Sequence, residues 1–139
     1  MRFPQIIVYE TDGTLGRTLR PLAKELRWLL REPRKTETCA RLLKNGGPAV
    51  LVLRIARDLV RELGLVESVA QQFSEARVVA ICDADHPTIA ALAWDLGASY
   101  VITPPQPPEL LRGAVSGLMP SAVGSKALPR AHSGTTQEA

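Results

Sequence analysis

The sequence predicts an α/β domain in which five parallel strands form a doubly wound sheet with helices on both faces. Short apolar segments alternate five times with segments whose apolar residues recur at helical spacing. Residues 49–53 are all apolar, which is typical of a strand that is covered on both faces. The chain has 139 residues, 45% of them hydrophobic, enough for one domain with a substantial core.

Five strands are expected from compact apolar runs that are bounded by turn residues or charges. They are Gln5–Tyr9 (QIIVY), residues 28–31, residues 49–53, residues 77–82 (RVVAIC) and Tyr100–Ile102. The third of these runs is followed at once by Arg54, where we expect the strand to end.

Helices are expected between these strands, each with one apolar stripe. The predicted helical segments are residues 15–26, 36–44, 58–76 with an interruption at Gly64, 87–96 and 108–118. Pro21 falls inside the first of them and lies opposite its stripe. Because a proline removes a backbone donor and can cost about 3 kcal/mol, the helix either kinks toward solvent or breaks there.

The folded domain is expected to occupy residues 1–119. Residues 120–139 are rich in Ser, Gly, Ala and Thr and show no apolar periodicity. Such a composition buries too little apolar surface to order itself, so we predict a flexible C-terminal tail.

Composition argues against several classes of protein. Cys39 and Cys82 form no C-x-x-C pair, so neither a zinc site nor a disulfide framework is indicated, and a reducing compartment fits best. The N-terminal residues lack the features of a signal peptide, and no apolar run is long enough to span a bilayer. We therefore expect a soluble cytoplasmic chain without membrane association.

Positive charge is concentrated in one segment. The whole chain has a net charge of +3, but residues 17–44 contain nine Lys or Arg and three Glu, a net +6. The segment could bind nucleic acid. We favour the solvated faces of helices instead, because no aromatic residues are interleaved with the charges.

Polar residues follow the predicted strands, and the carboxyl ends of parallel strands share one edge of the sheet. Several side chains are therefore expected to converge there. They are Glu10, Thr11 and Asp12 after the first strand, Arg54 after the third, Cys82, Asp83 and Asp85 after the fourth, and Thr103 after the fifth.

The second half of the chain resembles a response-regulator receiver domain of the CheY-like kind. The most specific features are Leu96-Gly97-Ala98 at the end of the fourth helix, the aromatic Tyr100, and the run 101–104 followed by a Pro-Glu-Leu-Leu segment. The similarity extends over residues 5–118 and implies a flavodoxin-like (βα)5 fold with strand order 2-1-3-4-5. It also implies phosphoryl transfer from a histidine kinase to an aspartate at the end of strand three, with Mg²⁺ held by acids after strand one.

The residues that carry this chemistry in the family are altered here. Arg54 stands at the phosphoacceptor position, and Glu10-Thr11 stands at the position of the acid pair. Cys82 replaces the residue with a hydroxyl group, and Thr103 replaces the lysine. The aromatic residue is kept as Tyr100. A guanidinium has no nucleophilic oxygen and stays protonated. The resemblance therefore implies a degenerate pseudo-receiver without catalytic residues, metal or cofactor.

Arg54 has two possible roles. It could replace the metal and the phosphate by pairing with Glu10, Asp12 or Asp83, or its guanidinium could reach solvent from the strand end without a defined partner. Bound Mg²⁺ is disfavoured in either case. A +2 and a +1 charge about 5 Å apart repel by roughly 6–7 kcal/mol at an effective dielectric of about 20.

By the same resemblance, the surface of helix four, strand five and helix five is the expected contact face for partners. Trp94, Tyr100, Pro104 and Pro105 would lie on or near it. This interpretation predicts signalling by phosphorylation-independent binding to a protein partner, or to a second copy of the chain.

A different class of function is suggested by residues 10–15 (ETDGTL), which are one residue from the D-x-D-G-T-L motif of haloacid-dehalogenase-type phosphatases. That motif needs an aspartate nucleophile in the first position. Glu10 is longer by one methylene, and no late lysine or further acid pair completes the set. We therefore expect the chain not to be an enzyme, and keep the phosphatase as an alternative.

Overall fold

The computed structural model describes residues 3–10, 13–45, 47–82, 86–103 and 107–124. Within these residues, strands and helices alternate along the chain. They are β1 (Gln5–Tyr9), α1 (Thr14–Leu26), β2 (Leu29–Arg31), α2 (Thr36–Asn45), β3 (Ala49–Ile55), α3 (Leu59–Gln72), β4 (Ala76–Cys82), α4 (Pro87–Asp95), β5 (Tyr100–Ile102) and α5 (Pro108–Gly124). The predicted α/β class is confirmed.

The strands form one parallel sheet in the order β2-β1-β3-β4-β5, as the resemblance implied. Alternate residues of β3 face opposite sides, so the apolar run at its centre supplies both halves of the core. Leu51 and Leu53 pack in the cluster under α2, α3 and α4, whereas Val50 and Val52 pack in the cluster under α1 and α5. This arrangement explains why the run is apolar without alternation.

Helix α1 continues through Pro21, so of the two expected outcomes, a kink or a break, the break is excluded. The buried residues Leu15, Leu19 and Ala23 form the stripe that packs on the sheet, and Pro21 lies on the exposed side. The burial of that stripe on both sides of the proline offsets the missing hydrogen bond and keeps the helix whole.

The middle of the chain differs from the sequence prediction at the end of β3 and in α3, which is not interrupted and which ends at Gln72 and not at residue 76, where β4 already begins. Strand β3 does not end at Arg54 but continues to Ile55, because Ile55 is buried and pairs with Cys82 of β4. Helix α3 is not interrupted at Gly64, because its neighbours Leu63 and Leu65 are both buried. Tertiary burial outweighs the weak helix propensity of a single glycine.

The last helix also exceeds its predicted end. We expected it to stop at Leu118 and the tail to begin at Pro120, but α5 extends to Gly124. Met119 is buried in the α1/α5 cluster and holds this turn against the sheet. Residues 125–139, most of the predicted tail, lie outside the described residues. None of the helices described is long and apolar enough to cross a membrane.

Candidate functional site at the carboxyl edge of the sheet

Glu10 directly follows β1, and its side chain is only 3% exposed. Its Oε2 atom accepts hydrogen bonds from the backbone N–H groups of Leu15 at 2.6 Å and Gly16 at 3.2 Å. These groups belong to the first turn of α1, whose N-cap is Gly13 and makes no side-chain cap. The Glu10 carboxylate therefore caps the helix in place of an N-cap side chain, in a position that also suits the helix dipole.

Arg54 lies beside this carboxylate. Its Nη2 atom is 4.0 Å from Glu10 Oε1, which is ion-pair distance but too long for a hydrogen bond. The Arg54 side chain is 34% exposed, and its buried Nε has no hydrogen-bond partner within the described part of the chain. Arg54 is thus a loosely held cation at the position that the resemblance assigns to the phosphoacceptor. The predicted pairings with Asp12 and Asp83 fall on residues outside the described ones.

Two cavities meet at Arg54. One lies between β5 and the two helices α1 and α5, where Thr14, Ile102 and Leu111 contribute to its lining. The other has a volume of about 170 Å³ and is lined by the ends of β1 and β3, the β2–α2 loop and the start of α3. This second cavity, the arginine cavity, is lined by four arginines: Arg34, Arg54, Arg57 and Arg61.

Glu62 is a residue of this site that the sequence did not indicate. It is buried, and its Oε1 accepts hydrogen bonds from the backbone N–H groups of Ala56 at 2.9 Å and Arg57 at 3.3 Å. It thereby fixes the loop that follows β3 and places Arg57 at the cavity. Buried glutamates are rare unless their charge is satisfied, but in the sequence Glu62 is one of several polar residues on α3 and nothing sets it apart.

Cys82 and Thr103 are not brought into this arrangement. Cys82 is fully buried in the α2/α3/α4 cluster, and this burial raises the pKa of its thiol. Arg54 lies on the other face of the sheet, together with Val50 and Val52, because side chains alternate between the two faces along a strand. Thr103 is half-buried after β5, and neither cavity at Arg54 includes Thr103 or Cys82. Thr11 and Asp85 lie outside the described residues.

The donor groups that the structure describes at this edge do not fit the Mg²⁺ that the receiver fold implies. Glu10 is engaged with two backbone N–H groups and faces a guanidinium, whereas Mg²⁺ needs carboxylates that it can approach closely. No group of three or more His, Cys, Asp or Glu side chains that could hold a metal is present among the described residues.

The surface formed by α4, β5 and α5 has an exposed aromatic residue and an apolar groove. Trp94 on α4 is 48% exposed and contacts Tyr100 edge-on, with ring centroids 6.1 Å apart and planes at 87°. Beside Tyr100, a groove of about 330 Å³ runs along α5, where Leu110, Ala114 and Leu118 line it. The predicted residues Pro104 and Pro105 lie outside the described ones.

The basic segment is spread over the outside of the molecule. All nine of its Lys and Arg residues are exposed, and they are distributed over α1, β2, α2 and the connecting loops. Arg20 pairs with Glu32 at 2.8 Å, which removes one positive charge from any binding surface. This distribution resembles the solvated helix faces that we favoured.

No protein-family model matches the sequence, and no curated protein matches it. Solved structures do match the fold. The receiver domain of an HD-domain protein from Pseudomonas fluorescens Pf-5 aligns with a TM-score of 0.77 and 15% identity, over 91% of this chain and 94% of that one. The N-terminal receiver domain of a response regulator from Bacteroides fragilis aligns with a TM-score of 0.70 and 16% identity, over 83% and 95%.

A third structure, the beryllofluoride-activated NtrC4 receiver domain solved as a dimer in solution, aligns with a TM-score of 0.69 and 12% identity, over 85% of this chain and 98% of that one. At such low identities the likeness concerns the fold and not the chemistry. The parallel sheet in the order 2-1-3-4-5, the helices on both of its faces and these structural likenesses together show that the chain has the fold of a CheY-like receiver domain.

Proposed function

We propose that this chain is a pseudo-receiver, a signalling module that acts by protein binding without being phosphorylated. The observation that carries the proposal is Arg54 beside Glu10 at the carboxyl edge of the sheet. A guanidinium cannot accept a phosphoryl group. The neighbouring carboxylate is occupied by helix α1, so the arrangement holds one conformation without metal or phosphate.

The proposal is tested with a small-molecule phosphodonor. After incubation with acetyl phosphate and Mg²⁺, we expect the intact mass of the protein to be unchanged. A receiver domain that has its aspartate, treated in parallel, serves as the positive control and gains the mass of a phosphoryl group. An acid-stable or acid-labile phosphoryl adduct on this chain would contradict the proposal.

For the binding surface, we propose the face formed by Trp94, Tyr100 and the α5 groove, with a second copy of the chain as its partner. An exposed Trp and a half-buried Tyr beside an apolar groove are typical of protein interfaces. The NtrC4 receiver domain, which has the same fold, was solved as a dimer in its beryllofluoride-activated form. This likeness supports the choice of a second copy over an unrelated protein.

Trp94→Ala is expected to abolish self-association, because a buried aromatic anchor typically contributes about 2 kcal/mol or more to an interface. Sedimentation velocity over a range of concentrations measures the change. Val60→Ala is the matched control, since Val60 is the most exposed of the large hydrophobic residues described and lies on α3, away from this face. A monomeric wild type, or equal association of both variants, would refute the assignment.

The phosphatase alternative is weaker than the pseudo-receiver. It would require Glu10 to attack phosphate, yet this carboxylate accepts two backbone hydrogen bonds and lies almost fully buried. Turnover of a generic phosphate ester that disappears in Asp12→Ala would nevertheless favour the enzyme.

A further inference from the structure

The arginine cavity is lined by four arginine residues from separate segments of the chain. Arg34 comes from the β2–α2 loop, Arg54 from β3, Arg57 from the β3–α3 loop and Arg61 from α3. Four like charges around one cavity repel each other unless something negative lies between them. The acidic residues of the lining therefore decide whether the cavity is neutralised by the protein itself.

Each of the three acids in the lining is already used by a structural contact. Glu10 caps α1, and Glu62 accepts from the two N–H groups that follow β3. Asp58 is the N-cap of α3: it accepts from the Arg61 backbone N–H at 3.3 Å and pairs with Arg61 Nε at 3.3 Å. These acids hold the walls in place. Their three charges formally balance three of the four arginines, but the one close ion pair among the described lining residues is that of Asp58 with Arg61.

The other three arginines, Arg34, Arg54 and Arg57, have side-chain N–H donors with no close oxygen acceptor among the described residues, as the following contacts show. Arg54 has only the 4.0 Å contact with Glu10, and its buried Nε has no acceptor in the described part of the chain. Arg34 and Arg57 make no ion pair or side-chain hydrogen bond with any residue that the structure describes. The cavity therefore offers more N–H donors than its own acceptors can satisfy.

The size and the chemistry of the cavity select the class of ligand. At about 170 Å³ it is smaller than the roughly 300–1,000 Å³ of sites for drug-sized molecules. Guanidinium groups bind phosphate and carboxylate oxygens through two parallel hydrogen bonds. Three such groups approaching from different segments suit a tetrahedral phosphoryl group with three oxygens better than a planar carboxylate.

We propose that the arginine cavity binds the phosphoryl group of a small phosphomonoester without forming a covalent bond. The inference rests on the proposed function, because an arginine at position 54 serves here as a phosphate ligand instead of a phosphoacceptor. Binding would connect the ends of β1 and β3 with the α2 and α3 segments through one anion. The module would then respond to a metabolite in solution and not to a kinase.

The test is calorimetric titration of the whole chain with phenyl phosphate, inorganic phosphate and benzoate at low ionic strength. We expect saturable binding of phenyl phosphate and of inorganic phosphate, and at least about tenfold weaker binding of benzoate. Benzoate binding as tightly as phenyl phosphate would overturn the choice of a phosphoryl ligand. Binding of neither phosphate compound would overturn the site itself.

Arg57→Gln should weaken phosphate binding about tenfold or more, because it removes a charged donor from the cavity. Arg41→Gln, an exposed arginine on α2 that does not line the cavity, should leave the affinity unchanged. Equal loss in both variants would indicate nonspecific charge attraction and refute the site. The phosphodonor experiment separates the two proposals: a covalent adduct refutes the pseudo-receiver, whereas absence of reversible binding refutes only this inference.

Discussion

Gly97→Ala is expected to lower the free energy of unfolding by about 2–5 kcal/mol. Gly97 follows α4 and has a φ of +116°, a conformation that side chains with a β-carbon rarely adopt. A β-carbon there would also overlap the Cβ of Ala70 on α3. Both costs arise together, because the backbone cannot move away from Ala70 without displacing the buried Ala98, which leads into β5.

Urea denaturation followed by circular dichroism measures this loss. Gly64→Ala is the matched control: Gly64 lies within α3, and its β-carbon would meet no atom within 4 Å. That substitution should stabilise the protein by about 0.5–1 kcal/mol, because alanine favours helix over glycine. A Gly97→Ala variant as stable as the wild type would show that the α4–β5 connection has a different backbone conformation.

Glu10→Ala is expected to cost about 2–3 kcal/mol. The substitution removes the acceptor for two N–H groups in the first turn of α1 and the carboxylate that faces Arg54. Most of the loss should come from the cap, since the 4.0 Å contact with the half-buried Arg54 resembles a surface ion pair of about 0–1 kcal/mol. Chemical denaturation of the single variants measures the total.

A double-mutant cycle with Arg54→Met separates the two terms. We expect a coupling energy below about 1 kcal/mol between positions 10 and 54, with Glu10→Gln retaining part of the stability because its amide oxygen still accepts from the helix. A coupling of several kcal/mol would mean that the ion pair, and not the cap, fixes this edge of the sheet. It would also strengthen the view that Arg54 takes the place of a metal ion.

The fold could be predicted from the sequence because its signal is repeated along the whole chain. Each strand and helix has its own apolar pattern, and the strict alternation leaves few topologies other than a parallel doubly wound sheet. The bounds of β1 and β5 agree with the prediction to the residue. The helix predicted to residue 76 ends at Gln72 instead. Elements were predicted to end or break too early at Arg54, Gly64 and Leu118, where a local polar residue, glycine or loss of periodicity suggested an end. At each point a buried neighbour continues the element.

The candidate site was only partly predictable. The edge on which Glu10 and Arg54 meet follows from their positions after parallel strands. The sequence did not reveal that Glu62 holds the β3–α3 loop, because its acceptor role depends on two N–H groups of a neighbouring segment. Nor did it reveal that Arg34 and Arg57 join Arg54 around one cavity, since the three lie on different segments of the chain.

The sequence by itself therefore determined the α/β class, the alternation of elements and the presence of arginine at the position that the resemblance to receiver domains assigns to the phosphoacceptor. These features are local, because apolar periodicity and residue identity are properties of short segments. The tertiary structure alone decided that Cys82 is buried on the opposite face from Arg54, that Glu10 caps a helix, and that four arginines surround one cavity. Such features depend on which distant segments pack together, and no short stretch of the chain carries that information.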